Sequence, residues 1–374
     1  MGILKTLTKE YFGEIEREED LIDIYGLDVE IVSFTDNNGK FHKKGYKPKD
    51  KDTLKKLLER MIKIRGDEGN FNDIDTSNIT SMVSLFEYNI KFNGNITGWN
   101  VSSVTDMGNM FYGAKSFNQP IGNWKFPNVE KMNSMFAYAE LFNQPIGDWK
   151  FPNVKDMNRM FYYAKSFNQP IGDWEFPKVE NMEYMFSHAT SFNQDISKWK
   201  FPNVIYMNSM FWGASSFNQP IGNWEFPNVE NMSGMFYGAA SFNQDISKWK
   251  FPNVIYMNCM FWDATSFNQP IGDWEFPKVE YMSGMFSGAI SFNQDISKWK
   301  FPKVEDMSTM FYCAKSFNQP IGNWKFPNVT NMNRMFSYAT SFNQDLSKWD
   351  LKEKNKDEIF NDCPIKDEYK PKMK

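Results

Sequence analysis

A repeat solenoid is the fold class this sequence predicts, and three observations predict it. Eleven tryptophans, from Trp99 to Trp349, stand 25 residues apart without a slip. Met107 and Met110 recur at the same interval as far as Met332 and Met335. Each copy is too apolar for a linker, yet too rich in Asn, Gln, Pro and Gly for a long helix. Fixed periods of this length mark units that bury their apolar faces only against their neighbours. Even the weak first copy keeps step, with Ile74 standing 25 residues before Trp99. The expected array runs over residues 67–349 in about eleven rungs.

Within a rung the spacing predicts a short strand followed by a short helix. Trp124 and Phe126 alternate with Lys125, which puts two large side chains on one face of an extended segment. Val129, Met132, Met135, Phe136 and Ala139 then follow at offsets of 0, 3, 6, 7 and 10, a helical stripe with Pro127 at its entry. Successive strands would stack in parallel at about 4.8 Å, giving a rod or arc on the order of 50 Å long. A double period is laid over the single one. Gln-Pro and Gln-Asp turns alternate from Gln169 to Gln344, and residues 192–241 differ from 242–291 at only eight of fifty positions. The array grew by copying pairs of units.

The run I-G-x-W-x-F-P-x-V-x-x-M-x-x-M-F-x-x-A-x-S-F-N resembles the BspA-like leucine-rich repeat family. It is more similar still to the surface-protein repeat of 25 to 26 residues found in mycoplasmas, other bacteria, protists and large DNA viruses. The resemblance covers residues 67–349 and implies a leucine-rich-repeat-like solenoid used for binding or adhesion.

The columns of the repeat divide by chemistry. Trp124, Phe126, Val129, Met132, Met135, Phe136, Ala139 and Phe142, with their copies, are expected in the core, each worth roughly 1.5–3 kcal/mol when buried. The asparagine column from Asn93 to Asn343 should bond the backbone or itself along the axis. Charges beside the tryptophans alternate by rung: Asp173 and Glu175, then Lys198 and Lys200, and so on to Lys298 and Lys300. A self-neutralising ladder is the expected reading, and alternating sign argues against nucleic acid, whose phosphates need one sign along a stripe.

Positions the core pattern does not require are the candidates for recognition. At 100° per residue, Ile205 and Trp212 fall opposite the core stripe, Ile255 and Trp262 repeat them, and Tyr206, Tyr237, Tyr256 and Tyr281 flank them. These eight residues form the predicted partner-binding patch, since aromatic groups outside the core mark interaction sites.

The remainder of the chain bounds its class. A net charge of −4 gives no basic excess for phosphate binding, and no apolar run approaches a membrane span. Cys259, Cys313 and Cys363 match no metal or redox spacing and read as ordinary thiols in a reducing compartment. His42 and His188 stand without a nucleophile or ligand set, so no catalytic, cofactor or metal site is expected. Residues 1–66 should hold a β-hairpin around Asn37 to Gly39 and an amphipathic capping helix begun by Asp52 or Thr53 and stopped by Gly66. Gly2 and Thr6 fit the bare myristoylation pattern, and residues 1–25 suit a docking helix. Residues 350–374 should form the C-terminal cap and tail. The N-terminal stretch has no signal-peptide core, which sets the expected location in the cytoplasm or another intracellular compartment, a virion or host cell included, ahead of a cell surface. The expected function is a non-enzymatic interaction or scaffold protein with a protein partner, and the alternative is a self-assembling filament, particle or adhesin component.

Overall fold

The computed structural model describes residues 24–352 and 354–371; the myristoylation pattern at Gly2 and nearly all of the docking helix expected over 1–25 lie outside them. Strand β1 (Val29–Thr35) and strand β2 (Phe41–Pro48) pair antiparallel as a hairpin. Helix α1 (Lys51–Arg65) follows, and Asp50, two or three positions before the expected Asp52 or Thr53, is its N-cap, accepting the Thr53 amide at 2.9 Å. Gly66 ends it at φ 80°, with its amide on the Ile62 carbonyl. The apolar face, Leu54, Leu57, Leu58 and Met61, is buried against the first rungs.

The hairpin joins the array directly. Tyr46 forms a parallel bridge with Ile74, and Arg65 grips Asp73 through two bonds of 2.7 Å. At the tip, the buried Asp36 carboxylate accepts the Asn38 and Lys40 amides and contacts His42 Nε2 at 2.8 Å, so His42 is a structural histidine of the cap.

The repeat rungs contain neither the strand nor the helix expected of them. From Ser81 to Asn355 they are successions of turns, joined by eleven single-residue parallel bridges through Asp106, Lys131, Asp156 and their copies. The bridging column lies in the segment expected to be helical, and the W-x-F segment forms no strand. Alternate amides explain this. Met132, Ser134, Phe136 and Tyr138 donate to carbonyls of the next rung, at Asp156, Asn158, Met160 and Tyr162. Between them Met135, Ala137 and Ala139 donate three residues back within their own rung. A helix would satisfy every amide internally and leave none to tie the rungs together.

Two residues per rung make the alternation possible by adopting left-handed backbone, for example Ser134 at φ 54° and Tyr138 at φ 57°. Glycine holds such positions at Gly213, where a Cβ would lie 2.9 Å from the His188 ring. Thr309 sits there at φ 53°, a costly choice for a β-branched residue. Thr309→Gly is expected to raise stability by about 0.5–1 kcal/mol, the relief of left-handed strain less the entropy of an added glycine. A lower midpoint in denaturant for that variant would contradict the assignment of strain.

The core itself stands where the sequence placed it. Val129, Met132, Met135, Phe136, Ala139 and Phe142 are fully buried, as is Trp124. Four aromatic files run along the axis. Phe111 stacks on Phe136 at 5.5 Å, Phe117 on Phe142 at 6.0 Å, Phe126 on Phe151 at 6.3 Å and Trp149 on Trp174 at 6.5 Å. Trp149 Nε1 reaches the Ile121 carbonyl one rung back, and the copies to Trp349 repeat the bond. The asparagines form a continuous ladder: Asn118 Oδ1 accepts the Asn143 amide at 2.9 Å and the Gln144 side-chain amide at 3.1 Å. Lys366 ends the ladder on Asn343. Beyond Trp349 the chain completes one irregular rung, with Leu351, Ile359 and Ile365 buried and Lys354 Nζ on the otherwise open Phe326 and Val329 carbonyls.

Candidate functional site

Because the segment after Val204 is not a helix, Ile205 and Trp212 do not share a face, and the predicted patch divides into two strips. The first follows the bridging column. Tyr206 and Tyr256 are 43% and 41% exposed, and Tyr256 stacks on the half-buried Tyr281 at 5.2 Å. Tyr206 lies apart from that pair, bridged to Asn181 and Asn231. Ile205 and Ile255 are half-buried and separated from each other by Glu230, which bonds to the backbone of both. No continuous apolar surface forms here.

The second strip does form one. Trp212 packs on Tyr237 at 4.8 Å, and Tyr237 stacks on Trp262 at 5.7 Å. It continues towards the N-terminus through rings the sequence reading passed over. Tyr88 meets Tyr112 at 5.2 Å, Tyr112 meets Tyr138 at 5.5 Å, and Tyr138 stacks on Tyr163 at 5.0 Å. Tyr163 stacks on His188 at 4.2 Å, and His188 reaches Trp212 at 6.0 Å. One ring per rung thus links Tyr88 to Trp262 in an aromatic ribbon outside the core. Arg159 lies over Tyr184 beside it, at 4.8 Å.

Most rings of the ribbon are half-buried, and Tyr88 is 66% exposed. Trp212 and Trp262 are therefore less open than an outward helical position would make them. Their columnar counterparts Ser187, Ser287 and Ser337 are buried, so this column lines the rim of the core. The rings lie over left-handed glycines: Cβ atoms on Gly113, Gly213 and Gly284 would sit 3.0, 2.9 and 2.7 Å from Tyr88, His188 and Trp262. Burial lowers the His188 pKa, so its ring stays neutral at physiological pH. Cys259, beneath Trp262, has its thiol pushed up to about 11 by burial, which keeps it protonated and unreactive. Acrylamide is expected to quench Trp212 and Trp262 partially while sparing the eleven tryptophans of the 25-residue file, all at most 4% exposed. Equal quenching of all thirteen would contradict this burial.

A family model described as "Mycoplasma protein of unknown function, DUF285" matches the chain in four tandem, overlapping segments, residues 53–174, 146–239, 198–293 and 269–369. The chain belongs to this family. In this DUF285 protein the first match begins inside α1 and the last reaches the closing turn at Tyr369, so the matches take in caps as well as rungs. Neither the curated proteins nor the solved structures contained a match. Among the described residues no helix is long and apolar enough to cross a membrane.

Proposed function

We propose that this chain is a non-enzymatic interaction protein that holds a protein partner along the aromatic ribbon. The observation that carries the reading is the unbroken file of partly exposed rings from Tyr88 to Trp262, which the core does not require. In the column of Trp212, Tyr237 and Trp262, Ala137, Ser187 and Ser287 stand in other rungs and leave the packing beneath them closed. Near Trp212, Tyr237 and Trp262 one column holds the small residues Thr190, Ser215, Ala240 and Thr265, and the exposed carboxylate of Asp263 follows Trp262. Tryptophan and tyrosine are enriched among the energetic anchors of interfaces. The BspA-like likeness of the repeat supports the same reading, as an array whose length is spent on surface.

Trp212→Ser combined with Trp262→Ser tests it. Quantitative capture from the source lysate, wild type against variant, should show a bound partner depleted at least about thirtyfold, the cost of losing a single anchor worth about 2 kcal/mol. Unchanged capture by a variant with a normal melting curve would remove the ribbon from the interface.

A further inference from the structure

We propose that a second copy of this chain docks antiparallel on the charged face beside the tryptophan file. The column following each tryptophan reads Glu175, Lys200, Glu225, Lys250, Glu275, Lys300, strictly alternating over six rungs. The column preceding it reads Asp173, Lys198, Asn223, Lys248, Asp273, Lys298. All twelve side chains belong to exposed residues. Among the described residues, the only ion pairs these twelve make are Lys198 with Asp173 and Lys298 with Asp273, at 2.8 and 2.9 Å. Among the described residues, no ion pair joins any two members of the first column.

Symmetry decides how such a face can meet itself. A two-fold axis along the rod sets each rung on its own copy, acid on acid and lysine on lysine. A two-fold axis across the rod, between the Trp224 and Trp249 rungs, reverses the order while keeping each column opposite itself. Glu175 then faces Lys300, Lys200 faces Glu275, and Glu225 faces Lys250. The preceding column agrees, with Asp173 opposite Lys298, Lys198 opposite Asp273 and Asn223 opposite Lys248. Over these six rungs no like charges meet; one rung further out Lys150 faces Lys325, which ends the complementary stretch.

The face is straight enough to be used. Successive tryptophan rings from Trp174 to Trp299 tilt by only 1–3°, so the array bends little there. An exposed proline follows each charged column, from Pro177 to Pro302, and adds a rigid apolar margin. Six rungs at about 4.8 Å and a width of about 15 Å cover roughly 400 Å² per copy, below the size of a stable interface. The dimer is accordingly weak and salt-sensitive. This inference uses a different face from the aromatic ribbon and stands or falls independently of it.

Sedimentation velocity on the full chain tests it, at about 100 μM protein in about 20 mM and about 300 mM salt. Wild type should show reversible dimer at low salt and monomer at high salt. The variants Glu175→Lys/Glu225→Lys/Glu275→Lys and Lys200→Glu/Lys250→Glu/Lys300→Glu should each be monomeric alone and associate when mixed. Wild type that is monomeric at low salt, variants that still self-associate, or a mixture that stays monomeric would each overturn the proposal. Should a variant misfold, carbodiimide crosslinking of wild type decides. Glu175 and Lys300 lie five rungs apart in one copy, so a zero-length link between them forms only between copies, and its absence at low salt counts against the dimer.

Discussion

Deleting residues 50–66 is expected to make the array aggregate. Helix α1 puts Leu54, Leu57, Leu58 and Met61, each no more than 2% exposed, over the open end of the solenoid. Burying four such side chains is worth about 6–12 kcal/mol in total, comparable with the net stability of a whole domain. The rung beneath ends in Phe71, Ile74, Ile79 and Met82, all buried, together with amides and carbonyls set to bond another rung. Without α1 that end offers an apolar face and unpaired backbone, a template for end-to-end stacking. The deletion also leaves Asp73 without the bidentate Arg65. A gentler version, Leu57→Asp with Leu58→Asp, removes the apolar cover while keeping the chain length. Light scattering and gel filtration should show both variants shifting to large species at concentrations where wild type stays dispersed. If the deletion remains monodisperse with an unchanged melting curve, α1 is not what closes the array.

What the sequence could and could not reveal follows from the geometry of a rung. Apolar identity at a fixed column is enough to assign burial, because every unit has one inward side; hence Val129, Met132 and Phe136 were legible as core. Secondary structure was not. Offsets of 0, 3, 6, 7 and 10 fit two to three turns of helix, and they fit equally a chain of three-residue turns reset by left-handed residues at Ser134 and Tyr138. The Gly, Asn and Ser content of those columns carried the missing signal: Asn109, Gly213, Gly234 and Gly284. Blurring it, Tyr163, Thr309 and Arg334 take the same backbone without being glycine. The asparagine ladder was readable because a side chain one rung from its copy has a backbone amide within reach. The aromatic ribbon was half visible. Its steps from Tyr88 to Tyr112, Tyr138 and Tyr163 span 24, 26 and 25 residues, so a search at a strict 25 splits one file into two broken columns. Trp212, Tyr237 and Trp262 keep one column and were found. Ile205 and Tyr206 were grouped with them only by a helical phase that the rung does not have.

Replacing a central tryptophan should do more than remove one side chain's share of stability. Trp224 is 2% exposed, stacks on Trp199 at 6.3 Å and Trp249 at 6.4 Å, meets Phe201 edge-on at 4.8 Å, and donates its Nε1 proton to the Ile196 carbonyl at 3.1 Å. Trp224→Ala leaves a cavity at that junction and is expected to cost about 3–5 kcal/mol. It also removes one of the two hydrogen bonds that the Ile196 carbonyl accepts, leaving the one from the Trp199 amide at 3.1 Å. In an array whose rungs touch only their neighbours, that loss falls on the interfaces on either side of one rung. The halves from the N-terminal cap to rung 199 and from rung 249 to the C-terminal cap each keep one cap and their own stacked files. The variant is therefore expected to melt in two steps where wild type melts in one, with hydrogen exchange fastest at Phe226, Val229 and Met232. Trp224→Phe retains most of the stacked surface and should lose only the indole bond and part of the volume, with a single transition at a modestly lower midpoint. A single cooperative transition for Trp224→Ala, shifted but not split, would mean that coupling reaches well beyond nearest rungs and that the array melts as one unit.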